Sequence, residues 1–325
     1  MRLAASVAVV GPWRDTIERL ACKVGHRYPA SRLIVSFCRH LGGRLIQREG
    51  ERFERVAIFA SGGKMRCGGE GRDAPLGALH YFLGTITNQD EDERAVVALL
   101  SLAIRHGDVF FDIGANYGFY SFFVGPLCGT SGVVHAFEAN PLLIAHLRGS
   151  SELNESHSRI VVNAVAVGSE SGKVLRLYDP ERIGGSSLYP LDWLNAESSV
   201  LVPVTTIDEY RRANSIKRID VMKIDIEGAE LDAFRGMEET FQVCPPALII
   251  CELILVSVER SDVDPIKIVD FLEAKGYEAR YIRDADGRIG GLVRREDLKR
   301  LAQNLINVAF VLSDLKGIRP ELFAN

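Results

Sequence analysis

The chain has 325 residues, 47% of them hydrophobic and 25% charged, with a formal net charge of -4. Such a chain buries a sizeable core as one large domain, or as a main domain with an extension. The mild negative charge offers no general attraction to a phosphate backbone, which argues against a nucleic-acid partner, and no run approaches the length of an integral membrane segment.

Six cysteines, Cys22, Cys38, Cys67, Cys128, Cys244 and Cys251, are scattered with no C-x-x-C pair and no cysteine-histidine cluster. This speaks against a structural zinc site or a disulfide framework and for reduced thiols in the cytoplasm. The opening MRLAASVAVVGPW holds a short apolar run, but Trp13, Arg14 and Asp15 follow at once with no small-x-small cleavage site. Apolar and basic residues then recur at helix-compatible spacing in Thr16 to Val24 and Arg32 to Leu45, predicting one or two helices with a solvated basic face. Val56 to Ala60 reads as a strand. Residues 1-88 are thus expected to form an N-terminal extension of helices and short strands, and 89-325 the main domain.

Gln89 to Arg105 reads as a helix with an acidic first turn and an apolar face of Val96, Val97, Leu99, Leu100 and Ile104. The next stretch, HGDVFFDIGANYGFYSFF from His106 to Phe123, organises the rest. An apolar run from Val109 to Ile113 carries Asp112 near its end, breaks into Gly-Ala-Asn-Tyr-Gly and resumes as an apolar, aromatic segment. That is strand, tight turn, helix. Gly114 and Gly118 leave no side chain in the way of a flat ligand, and the amides opening the helix are expected to point at it. A dinucleotide turn would read G-x-G-x-x-G. Here Asn116 takes the place of the second glycine, and Phe119 and Tyr120 follow. Asp112 suits an amine better than a pyrophosphate, so the turn favours a phosphate-free nucleoside cofactor such as S-adenosylmethionine.

Val133 to Phe137 is the second strand and ends at Glu138, where a Rossmann-type fold grips ribose hydroxyls. Pro141 opens a helix through Leu147; Ile160 to Val167, Lys173 to Tyr178 and Val200 to Val204 read as strands, and Thr205 to Asp208 as a capped helix start. In RIDVMKIDIEGAELDAFRG, from Arg218 to Gly236, a buried strand, Ile219 to Ile224, runs into Asp225, Glu227 and Glu230. Carboxylates crowded at a strand end suggest a cation, proton transfer or bonding to hydroxyls. Glu230 is expected to be a helix-surface charge. Ala247 to Leu253 is another strand with Glu252 near its end, Ile266 to Lys275 a helix, Tyr277 to Ile282 a strand, Asp286-Gly287 a hairpin turn and Asn307 to Leu312 the last strand. The alternation predicts an α/β doubly wound sheet with an antiparallel last strand.

With these residues laid out, the chain resembles the FkbM family of S-adenosylmethionine-dependent methyltransferases. The resemblance rests on DIGANYG at 112-118, FEANP at 137-141, NAVAVG at 163-168, GGSSL at 184-188, VPVTTID at 202-208 and IDVMKIDIEGAELDAFRG at 219-236. It implies a class I methyltransferase (Rossmann-like) fold with a mostly parallel seven-stranded sheet. It also implies O-methylation of a sugar, glycan or polyketide-like acceptor. Asp112, Gly114, Asn116, Gly118 and Glu138 would hold S-adenosylmethionine, with Asn163 and Ala164 near the adenine. Asp225, Glu227 and Glu252 would orient or deprotonate the acceptor. These carboxylates could hold a divalent ion, but no histidine lies close in sequence to complete a site, so no metal is assigned. Two rivals remain at this level: an NAD(P)-dependent Rossmann oxidoreductase, which lacks its pyrophosphate glycines here, and a non-catalytic nucleoside-binding scaffold. The acceptor and the oligomeric state are not written in the sequence.

Overall fold

A computed structural model describes residues 44-47, 55-58, 61-66, 91-156, 158-181, 185-191, 194-195, 197-254, 264-300 and 305-324. The helices expected before residue 44 lie outside the described residues. Arg44 and Leu45, expected to close the second of them, stand in a strand. That strand, β1 (Arg44–Gln47), pairs antiparallel with β2 (Arg55–Ile58), which pairs with β3 (Lys64–Arg66).

The remaining elements follow the alternating pattern of the sequence. They are α1 (Glu91–Ala103), β4 (Val109–Ile113), α2 (Phe119–Cys128), β5 (Val133–Glu138), α3 (Pro141–Glu152) and β6 (Arg159–Ala164). Next come β7 (Ala166–Val167), β8 (Val174–Tyr178), β9 (Ser199–Thr205), α4 (Ile207–Ala213), β10 (Val221–Ile224), α5 (Glu230–Arg235) and α6 (Glu238–Val243). Then follow β11 (Leu248–Ile254), α7 (Pro265–Ala274), β12 (Tyr277–Ile282), β13 (Ile289–Leu292), α8 (Arg295–Arg300) and β14 (Leu305–Leu312). Capping chemistry sets several helix starts. The side chains of Asn140, Thr206 and Asp264 accept from the amides of Leu142, Glu209 and Ile266.

Eight strands form the main sheet in the order β13-β12-β14-β11-β10-β4-β5-β6. Strands β6, β5, β4, β10 and β11 are mutually parallel, and β14 runs antiparallel between β11 and β12. This is the doubly wound, mostly parallel sheet expected. The eighth strand, beyond the seven expected, is β13: the turn at Asp286 and Gly287 returns the chain antiparallel to β12. The long apolar run from Ile160 to Val167 is two strands rather than one. The chain leaves the main sheet at Val165, and β7 joins β9 and β8 in a separate small sheet.

Helices cover both faces. Leu99 and Leu100 of α1, Phe122 of α2 and Leu147 of α3 pack on one side, and Phe234 of α5, Phe241 of α6 and Leu272 of α7 on the other. Strand β3 joins the first layer. Met65 is fully buried there, Lys64 N–H donates to Asn154 Oδ1 at 2.8 Å and Arg66 N–H to Ser150 Oγ at 3.0 Å. From β4 the chain winds outward through β5 and β6, then returns to the other side of β4 for β10 and β11. Strand order therefore reverses between β4 and β10, and open α/β sheets bind ligands outside the carboxyl ends of the strands at that reversal.

Candidate active site

A cleft opens at this reversal. It is lined by the loop after β4 (Gly114, Ala115, Asn116), the end of β5 (Phe137, Glu138), Val165 to Val167, the loop after β10 (Asp225 to Glu227) and Glu252 of β11. Gly185, Ser186 and Leu188 reach it from the small sheet.

The Glu138 side of the cleft is built by backbone geometry. Asn116 takes φ +52°, in the left-handed region that asparagine tolerates better than other side-chain-bearing residues. Its N–H donates to Glu138 Oε2 at 2.7 Å, while Asn140 N–H donates to Oε1 at 2.7 Å. Burial pushes the Glu138 carboxyl up to about 7 despite these two bonds. Asn116 Oδ1 is buried with no hydrogen-bond partner among the described residues.

The glycines serve packing beyond the expectation. A Cβ on Gly114, whose φ is +86°, would stand 1.8 Å from the carbonyl oxygen of Asp225. One on Gly118 would meet the Phe122 ring at 2.2 Å. These glycines let the two loops and α2 pack, and Gly114 also lines the cleft. Three amides of the turn are taken up within the protein. Gly114 and Ala115 N–H donate to Phe137 O at 3.0 and 2.9 Å, and Gly118 N–H donates to Ala115 O at 2.7 Å.

Of the predicted cofactor residues, Gly114, Asn116 and Glu138 line the cleft; Asp112, Gly118, Asn163 and Ala164 do not. Asp112 is 1% exposed and accepts from Ser121 Oγ at 2.5 Å. Burial, partly offset by that bond, raises it to about 6. Asn163 Nδ2 donates to the carbonyls of Ala136 and Val161 at 3.1 and 3.2 Å. The wall near these two is instead Val165, Ala166 and Val167.

The acidic half gathers all three predicted catalytic carboxylates. One oxygen from each of Asp225, Glu227 and Glu252 lies within 4.8 Å of the others. Glu227 is held at φ +54° and Gly228 at φ +100°, and Ser187 Oγ donates to Glu227 O at 2.6 Å, tying the small-sheet loop to this turn. Burial and the neighbouring charge of Asp225 hold the Glu252 carboxyl well above the usual range. Glu230 is not a surface charge. It is 2% exposed, and its Oε1 accepts from Ile226 N–H at 3.0 Å and Gly228 N–H at 3.1 Å, so it braces the loop from beneath.

Sequence reasoning missed Lys223. It sits within β10, fully buried on the cleft wall, and its ammonium reaches Asp225 Oδ2 at 2.8 Å and lies 4.7 Å from the centre of the Tyr120 ring. Burial alone would pull its pKa down; the charges of Asp225, Glu93 and Glu252 outweigh that and raise it. The Tyr120 hydroxyl donates to Glu93. A lysine in a strand buried on both faces requires a partner, and that signal was available in the sequence.

The family model described as the methyltransferase FkbM domain matches residues 112-279. The chain belongs to the FkbM methyltransferase family. The family's cofactor is S-adenosylmethionine. Relatives include the hexuronic acid methyltransferase AglP of Haloferax volcanii, 26% identical over 150 residues that cover 46% of this chain and 58% of that protein. Another is the 31-O-demethyl-FK506 methyltransferase FkbM of Streptomyces tacrolimicus, 26% identical over 163 residues, 42% of this chain and 62% of that one. The chain spans about three-fifths of the length of these relatives. Among solved structures, a TehB-like SAM-dependent methyltransferase from Corynebacterium glutamicum aligns with 74% of this chain and 100% of its own, at 11% identity and a TM-score of 0.39. The donor set fits the FkbM cofactor. Glu138 can accept from ribose hydroxyls, the unpartnered Asn116 Oδ1 calls for a donor, and Val165 to Val167 offer an apolar wall to a base.

Proposed function

We propose that this FkbM-family protein is an O-methyltransferase, acting on a hydroxyl of a sugar, glycan or polyketide-like acceptor. The observation that carries this reading is the two-sided cleft, with hydroxyl-accepting groups at Glu138 and Asn116 on one side and the cluster of Asp225, Glu227 and Glu252 on the other. The names of the relatives, one a hexuronic acid methyltransferase and one a 31-O-demethyl-FK506 methyltransferase, agree with it.

S-adenosylmethionine, when bound, supplies an electrophilic methyl group on a positively charged sulfur. Glu138 and Asn116 would hold it, with Val165 to Val167 against the base. The acidic side would then receive the acceptor hydroxyl. Lys223 keeps one oxygen of Asp225 occupied and fixes that carboxylate's direction. The other carboxylate oxygens of the cluster accept the hydroxyl's hydrogen bond and take its proton as the oxygen is methylated. Holding acceptor and methyl in line accounts for much of the acceleration.

Asp225→Asn and Glu227→Gln test the assignment. Each is expected to lower turnover on the true acceptor by about a hundredfold or more, with S-adenosylmethionine affinity nearly unchanged. Full turnover in both variants would remove these residues from the chemistry.

A further inference from the structure

We infer that the acidic half of the cleft is a binding site for one hard divalent cation of the magnesium, manganese or calcium class, held by Asp225, Glu227, Glu252 and the side-chain oxygen of Asn307. Three carboxylates alone would not carry this. The fourth residue does. Asn307 stands directly opposite Glu252 in the antiparallel pairing of β11 with β14, and paired residues project from the same face of a sheet. Leu305, two positions along that face, lines the cleft together with Glu252. Asn307 is 7% exposed, and its Oδ1 is buried with no hydrogen-bond partner among the described residues. A buried carbonyl oxygen without a donor is costly, and a cation satisfies it as well as a hydrogen bond does.

The charges point the same way. Glu93, already accepting from Tyr120, and the three clustered carboxylates stand around the buried ammonium of Lys223, which is itself engaged with Asp225 Oδ2. Carboxylates within 4.8 Å of one another repel unless a positive charge sits among them. The donors are all oxygens, with no sulfur or imidazole in the set, which selects hard cations over zinc or copper. No histidine near in sequence is needed, because β14 brings the last donor from a distant part of the chain. The cation's role in the reaction rests on the methyl-transfer reading above: with it in place, an acceptor bearing two neighbouring oxygens, or a carboxylate of its own, can approach this acidic wall.

Manganese(II) is the probe, titrated into the full chain with and without S-adenosylmethionine and followed by the paramagnetic resonance signal of the free ion. One ion per chain is expected, displaced by magnesium. Affinity should fall more than about tenfold in Glu252→Gln and about tenfold in Asn307→Ala. Asn307→Asp, which keeps an oxygen donor, should retain the site, and Glu138→Ala should bind manganese as the unaltered protein does. If the unaltered protein binds S-adenosylmethionine but no manganese at millimolar concentration, the cation site is wrong and the methyl-transfer reading stands. Manganese binding that survives in both Glu252→Gln and Asn307→Ala would also overturn it. Manganese binding without S-adenosylmethionine binding would uphold the site and sink the proposed function instead.

Discussion

Glu138 is gripped by two backbone amides at 2.7 Å, yet burial raises its carboxyl to about 7. Hydroxyl donors are best received by the ionised carboxylate. S-adenosylmethionine affinity should therefore weaken as the pH falls through 7, by up to about tenfold per unit, and binding near neutrality should release a proton. Calorimetry in buffers of different ionisation heat checks this; Glu138→Gln should bind weakly and without the pH slope. Gly114 makes a second prediction at this scale. With φ +86° and the Asp225 carbonyl 1.8 Å from where a Cβ would stand, Gly114→Ala should cost at least about 3 kcal/mol in a urea melt. The need for glycine was legible in the sequence, but its reason was not. The turn was read as making room for a ligand, whereas the neighbour Gly114 clears belongs to a loop more than a hundred residues later, a contact no local pattern encodes. Glu230 was hidden for the same reason, since its burial is set by packing that the local sequence does not spell out.

Among the elements, the loop after β10 is the one on which the acidic half depends. Its turn places Glu227 and Gly228 at positive φ, and Glu230 Oε1 satisfies the amides of Ile226 and Gly228. Glu230→Ala would strand both amides and should cost about 2–4 kcal/mol, whereas Glu230→Gln keeps the acceptor oxygen and should cost less than about 1 kcal/mol. The two can also be told apart by pH. Burial raises the folded-state pKa of Glu230 from 4.5 to about 7. The stability that its protonated form lends the fold is thus complete below pH 4.5 and lost as the pH rises through 7. Chemical melts across that window should show this decline in the unaltered protein and a flatter profile in Glu230→Gln. The strands flanking this loop were readable because apolar runs end in glycine or acidic residues. The break at Val165 was not, since the apolar run from Ile160 to Val167 gives no sign that its last residues leave for another sheet.

At the scale of the whole molecule, the α/β alternation in the sequence specified the doubly wound sheet, and the order of its strands puts two half-sites side by side. Glu138, reached by winding outward from β4, faces the acidic cluster reached by winding back through β10 and β11. The short motifs pointed to Gly114, Asn116 and Glu138 on one side and to Asp225 and Glu227 on the other, all of which line the cleft. How β14 enters between β11 and β12, bringing Asn307 against Glu252, depends on pairing between segments far apart in the chain and was not readable from them. The central claim is that the first half holds S-adenosylmethionine, and the most direct measurement is calorimetric titration of the purified protein with S-adenosylmethionine and, separately, NADH, repeated on Glu138→Ala. The account predicts saturable one-to-one binding of S-adenosylmethionine, its loss in the variant and no heat from NADH. Binding of NADH in preference, or S-adenosylmethionine binding that Glu138→Ala leaves intact, would contradict it.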